Sequence, residues 1–144
     1  DLARLSGGAS KEMWRFDLTL SSGDTLPLVL RRQPPGRAFS AQGLGSVARE
    51  AEVLRFAAAA GVPVPAVAFS LPQGSRAGDG YAMARIEGET IGTRVLRLPE
   101  LAHARQSLAH RCGQVLARLH RARGFEALEL RSEGSAEALA GLAE

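Results

Sequence analysis

Residues 12 to 20 alternate, with Trp14, Phe16, Leu18 and Leu20 on one side and Met13, Arg15, Asp17 and Thr19 on the other. This is the two-residue period of a half-buried strand. Ser22-Gly23-Asp24 supplies turn chemistry, and Leu26 to Arg32 reads as the strand running back. An antiparallel β-hairpin near the amino end is the feature that the rest of the chain has to accommodate.

The segment from Pro34-Pro35-Gly36 to Gly45 is too rich in breakers for regular structure. Val47 to Ala60 is free of them and carries Val47, Ala51, Leu54 and Ala58 at helical spacing before Gly61 ends the run. Val53 and Phe56 fall off that stripe and require a second contact surface. In "GVPVPAVAFSL" each residue before a proline is pushed out of the α region, so an extended lead-in to a strand is expected. A polar turn over 72–80 precedes a further strand at Tyr81 to Ile86. β-character stops at Glu87-Gly88-Glu89-Thr90, and the chain beyond Thr90 reads helical. Leu101, Leu108, Cys112, Val115 and Leu119 form one stripe, in a helix that Pro99 starts, and a weak alanine-rich helix is expected over 136–143. Hairpin, helix, two strands, linker, helices: the fold class is α+β, an antiparallel sheet with one helix against it.

At 144 residues and 45% hydrophobic content the chain suits one domain, or one lobe of something larger. It starts without methionine and stops in mid-composition, as a fragment would. Lys11 is the only lysine among 18 basic residues, an arginine bias that fits a GC-rich coding background. The arginines are scattered and form no run, which argues against nucleic acid as a partner. No apolar run approaches the ~20 residues that cross a bilayer, and the amino end is no signal peptide. The expected location is the cytoplasm, with no membrane partner. The single cysteine, Cys112, excludes an intrachain disulfide, and its place on the helical stripe reads as a buried, inert thiol.

Three features bear on chemistry. Val29 and Arg31 share a strand face by the period of two, which sets a branched apolar surface beside a fixed positive charge. On the helix, Glu50 lies about 60° from the centre of the apolar stripe, whereas Glu52 points to the opposite side. Glu50 is thus the acid that can face the sheet and hold Arg31. "SGGAS", residues 6 to 10, reads either as an ordinary turn or as a backbone that lets a ligand approach. Read without any family, Arg31 with Glu50 is a structural ion pair, Met83 is core, and His103 and His110 are solvated. His120 is then a helix-end residue favoured by the dipole.

Taken in order, these segments resemble the amino-terminal lobe of the aminoglycoside phosphotransferase and choline kinase family, the kinase-like phosphotransferases. The likeness is closest to the branch joined to acyl-CoA dehydrogenase domains. "LSGGAS" resembles the phosphate-covering loop, "LVLRRQP" the nucleotide-lysine strand, and "REAEVLRFAAAAGVPVPAV" the helix with the paired glutamate and its following strand. "YAMARIEGETI" resembles the hinge and "LARLH" the first long helix of the large lobe. The resemblance implies ATP or GTP with Mg2+ and an unknown small-molecule acceptor. The backbone of Ser6, Gly7, Gly8, Ala9 and Ser10 would cover the phosphates. Val29 would lie on the purine, and Arg31, replacing the usual lysine, would meet the phosphates while paired with Glu50. Met83 would limit the purine pocket, and backbone groups of Arg85 and Ile86 would bond its edge. The implied division is a nucleotide-binding lobe over 1–86, hinge and linker over 87–98, and a truncated helical start of the large lobe over 99–144.

The family's phosphoryl transfer uses an H-G-D-like loop followed by an Asn, and a later Asp motif, as base and metal ligands. Here no aspartate lies beyond Asp79 and the chain has no asparagine. The expectation is a nucleotide-binding part of a phosphotransferase, inactive by itself, with the metal ligands in the missing large lobe. The alternative is a non-catalytic nucleotide-binding, regulatory or interaction module. An isolated lobe would expose its partner-facing surface, which favours a homodimer.

Overall fold

The computed structural model describes residues 2–5, 11–34, 46–72 and 74–128. The expected loop at Ser6 to Ser10, the breaker-rich segment over 35–45 and the helix over 136–143 lie outside them. The described residues form five strands: β1 (Leu2–Leu5), β2 (Glu12–Thr19), β3 (Thr25–Gln33), β4 (Val67–Ser70) and β5 (Asp79–Ala84). The helices are α1 (Val47–Ala59), α2 (Gly92–Arg97) and α3 (Ala102–Arg121), with 3-10 turns at Pro99–Leu101 and Phe125–Leu128.

The strands form one antiparallel sheet in the order β1-β2-β3-β5-β4, the α+β arrangement expected. The β2/β3 turn closes as the Leu20 N–H donates to the Asp24 carbonyl at 2.8 Å, with Gly23 at φ 90. That turn sets the register, placing Met13 opposite Arg31 and Arg15 opposite Val29. Across β3, Arg31 faces Tyr81 and Val29 faces Met83. Residues directly opposite share a face, so Met13, Arg15, Val29, Arg31, Tyr81 and Met83 stand on one side and Trp14, Phe16, Leu28 and Leu30 on the other.

Helix α1 packs on the first of these faces, where Val47 and Ala51 meet Tyr81, with Leu54, Val67 and Met83 packed around them. Its start is defined by Ser46, whose hydroxyl accepts from the Arg49 N–H, and Gly61 at φ 74 lies just past its end. Phe56 turns to a second contact near Gly124, the surface its off-stripe position required.

Several elements differ from the expectations. The buried position near the end of α1 is Ala57 rather than Ala58, which is exposed, because the helix turns its last contact by three residues instead of four. The last strand spans Asp79–Ala84, so Arg85 and Ile86 follow it. Strand β1 and helix α2 arise where no element was expected: both are short and without a buried residue, and so leave little periodic trace. Pro99 opens a 3-10 turn that leads into α3 rather than α3 itself. Cys112 is exposed, not buried, because no residue of α3 is buried: its stripe of Leu108, Cys112 and Leu119 faces outward. His103, His110 and His120 are all exposed.

Gly80 shows how tightly the strands approach beside Arg31. A Cβ there would stand 2.9 Å from the Arg31 carbonyl oxygen and 3.0 Å from the Arg32 Cβ, whereas at Gly88 it would meet nothing. Gly80→Ala is expected to destabilise the chain by about 1–3 kcal/mol through overpacking. Gly88→Ala should stay within about 0.5 kcal/mol. Urea denaturation of the two variants beside the parent measures both.

Candidate functional site

Arg31 leaves the centre of β3 toward α1, and Glu50, in the first turn of that helix, comes down to meet it. The Arg31 Nε donates to Glu50 Oε2 at 2.7 Å, so the structure brings together the two charges the sequence placed on facing surfaces. The other carboxylate oxygen, Oε1, accepts from the Nζ of Lys11. Lys11 is not among the site residues expected from the sequence. Its link to Glu50 depends on the register of β2 and the docking of α1 together, which no local spacing reports.

The cluster is partly sheltered, with side-chain exposures of 12% for Lys11, 22% for Glu50 and 29% for Arg31. Burial alone would raise the Glu50 pKa, but the hydrogen bonds from Arg31 and Lys11 and the field of both cations outweigh it and hold the carboxyl below its ordinary value. The Tyr81 phenol, across from Arg31, is raised first by burial and then by the Glu50 charge.

Beside the cations, Val29 is 6% exposed and lies directly opposite Met83, so the two form an apolar strip on the same face. The amide of Arg85 donates to the Pro27 carbonyl at 3.0 Å and is therefore committed within the fold. The Arg85 side chain bonds Asp17 at 3.0 Å and Glu87 at 2.9 Å. Ile86 is exposed, and its backbone makes no hydrogen bond among the described residues. Ser6, Gly7, Gly8, Ala9 and Ser10 lie outside the described residues, between β1 and Lys11.

The opposite face carries a separate cluster. Arg32 donates from Nε and Nη2 to Glu12 Oε2, at 3.0 and 2.9 Å, and from Nη1 to the Ala77 carbonyl at 2.8 Å. Its guanidinium lies 5.9 Å from the Trp14 ring. Neighbouring arginines on β3 thus serve opposite sides of the sheet. A cavity of about 440 Å3 lies elsewhere, between the ends of α1 and α3, lined by Phe56, Arg118, Arg121 and Arg123 among others. It shares no residue with the Arg31 cluster.

Among the described residues no three His, Cys, Asp or Glu side chains come together as metal ligands. Glu50, the carboxylate of the Arg31 cluster, has both oxygens taken by cations, a donor set that does not fit Mg2+. No described helix is long and apolar enough to cross a membrane.

A five-stranded antiparallel sheet with a helix carboxylate clamped to a cation on its central strand is the architecture of a protein-kinase-like small lobe. The family model of the phosphotransferase enzyme family matches residues 1–143, and the chain belongs to that family. Comparison with curated proteins and with solved structures finds no match.

The depressed Glu50 pKa has a definite sign in stability. Its contribution is present in full above the ordinary glutamate pKa and is lost as pH falls through the lower folded value. Glu50→Gln should therefore flatten the loss of unfolding free energy between about pH 5 and pH 3. Some acid dependence should persist, because Glu12 is also held low by hydrogen bonds from Trp14 and Arg32. Urea titrations at stepped pH read the difference.

Proposed function

We propose that this chain binds a purine nucleoside triphosphate, ATP or GTP, on the sheet face that carries Arg31, as the nucleotide-binding part of a small-molecule phosphotransferase. The observation that carries the reading is the Arg31–Glu50 pair standing beside the Val29/Met83 strip. A purine has a flat apolar face and a triphosphate has concentrated negative charge, and this surface offers a partner for each. In this reading the hinge begins after β5. Ile86 N–H and the carbonyls of Arg85 and Ile86 meet the purine edge, and the Arg85 amide does not. The backbone of Ser6 to Ser10 covers the phosphates.

The reading assigns this chain no catalytic base. It has no asparagine and no aspartate beyond Asp79, so the groups that orient the acceptor hydroxyl and hold Mg2+ belong to residues outside it. We read 1–86 as the nucleotide lobe, 87–98 as the hinge and linker, with α2 inside it, and 99–144 as the start of the large lobe. The outward stripe of α3, with Leu108 46% and Leu119 45% exposed, is read as the surface on which that lobe continues or on which a second copy docks. The branch joined to acyl-CoA dehydrogenase domains is the one the sequence resembles most.

Calorimetric titration with ATP, GTP and adenosine tests this. Saturable binding of a triphosphate is expected, weakened about ten-fold or more by Arg31→Met, with adenosine binding retained. No phosphate transfer is expected from the 144-residue chain alone. Absence of binding, or turnover by this chain, contradicts the reading.

A further inference from the structure

The Glu50 carboxylate serves two cations, and the charge does not balance. Oε2 takes the Arg31 Nε and Oε1 takes the Lys11 ammonium, and neither cation has a second carboxylate among the described residues. The cluster therefore carries one positive charge in excess. An ammonium has three donors and Lys11 spends one on Glu50; the Arg31 Nη1 reaches only the Met13 sulfur, at 3.8 Å. Donors with no acceptor among the described residues, gathered around a sheltered net charge, fit an anion.

The position of Lys11 matters as much as its charge. Met13 is paired with Arg31, so two residues earlier Lys11 stands on the same face, diagonal to Arg31. It comes directly after residues 6–10 and directly before β2. Lys11 thereby ties the residue before β2 to α1, through Glu50. The chain uses arginine at every other basic position. Lysine differs in being a compact charge on a flexible stem, able to change partner without the planar geometry a guanidinium demands.

We propose that Lys11 is a phosphate-binding residue, shared between Glu50 and the polyphosphate of the ligand, and that it supplies the mobile ammonium while Arg31 holds the helix. This rests on the nucleotide-binding reading given above. Arg31 keeps its Nε on Glu50, and Lys11 turns one or two of its unused donors to phosphate oxygens. Binding needs no proton transfer, and Glu50 remains a carboxylate throughout. A purely structural Lys11 would instead brace α1 and touch no ligand.

Because Lys11 is the only lysine, its acetylation by acetic anhydride can be followed on one peptide by mass spectrometry, apart from the amino terminus. The full 144-residue chain is used, with ATP, inorganic tripolyphosphate and adenosine as probes. ATP and tripolyphosphate are expected to slow Lys11 acetylation several-fold, and adenosine to leave it unchanged. In parallel, Lys11→Met should raise the Kd for ATP about ten-fold or more without changing that for adenosine, and Lys11→Arg, which keeps the charge but not the compact ammonium, should recover only part of the loss. Equal acetylation with and without saturating ATP or tripolyphosphate overturns the proposal. So does a Lys11→Met variant that loses adenosine and ATP affinity to the same degree, the mark of a structural brace. Protection by tripolyphosphate with no purine-dependent binding overturns the nucleotide reading while upholding the phosphate role of Lys11.

Discussion

The Glu50 carboxylate decides how the helix and the sheet of this lobe meet. The apolar contact between them is small, with Val47, Ala51 and Tyr81 buried and Leu54, Val67 and Met83 only partly so. Apolar burial is non-directional, and a contact of this size leaves the helix some freedom to rotate or slide. Two charge-assisted hydrogen bonds, from Arg31 on the central strand and Lys11 just before β2, restrict that freedom. At partial exposure such pairs contribute modestly to stability and more to geometry. Strand register sets the cations and the apolar strip on one face, and this carboxylate holds the helix to it.

The two-residue period of the sheet sends adjacent arginines to opposite faces. Arg31 and Arg32 are adjacent, yet the first points to α1 and the second to Glu12, Trp14 and the Ala77 carbonyl on the other side. In the Arg32 cluster three guanidinium donors are engaged, and Glu12 pairs with a second cation as well, the largely exposed Arg4 at 3.5 Å. Each cluster sets two cations on one carboxylate, and the Arg31 cluster is the one whose two cations are both sheltered, at 12% exposure for Lys11 and 29% for Arg31 against 61% for Arg4.

Much of this is legible in the sequence because it is local. The alternation over 12–20 and the Ser22-Gly23-Asp24 turn produce β2 and β3 in register, and helical spacing from Val47 produces α1 with Glu50 turned to the sheet. The elements that the sequence does not announce have weak local signals. Strand β1 has four residues, none of them buried, and gains its identity only from pairing with β2. Helix α2 is six residues long and has no side-chain cap. The Lys11–Glu50 contact joins residues 39 apart and exists only once hairpin and helix are both in place. Cys112 departs from its expected burial for a related reason: an apolar stripe reports that a helix can be buried, and the covering partner has to be present for it to be so.

A nucleotide proposed for the Arg31 face should leave the Trp14 face untouched. Titrating ATP into the isotopically labelled chain and following backbone amide resonances tests it most directly. The account expects saturable shifts at Lys11, Val29, Arg31, Met83 and Ile86, with Trp14, Leu28 and Leu30 moving little. No saturable shift, or shifts centred on Trp14 and Arg32, would contradict it.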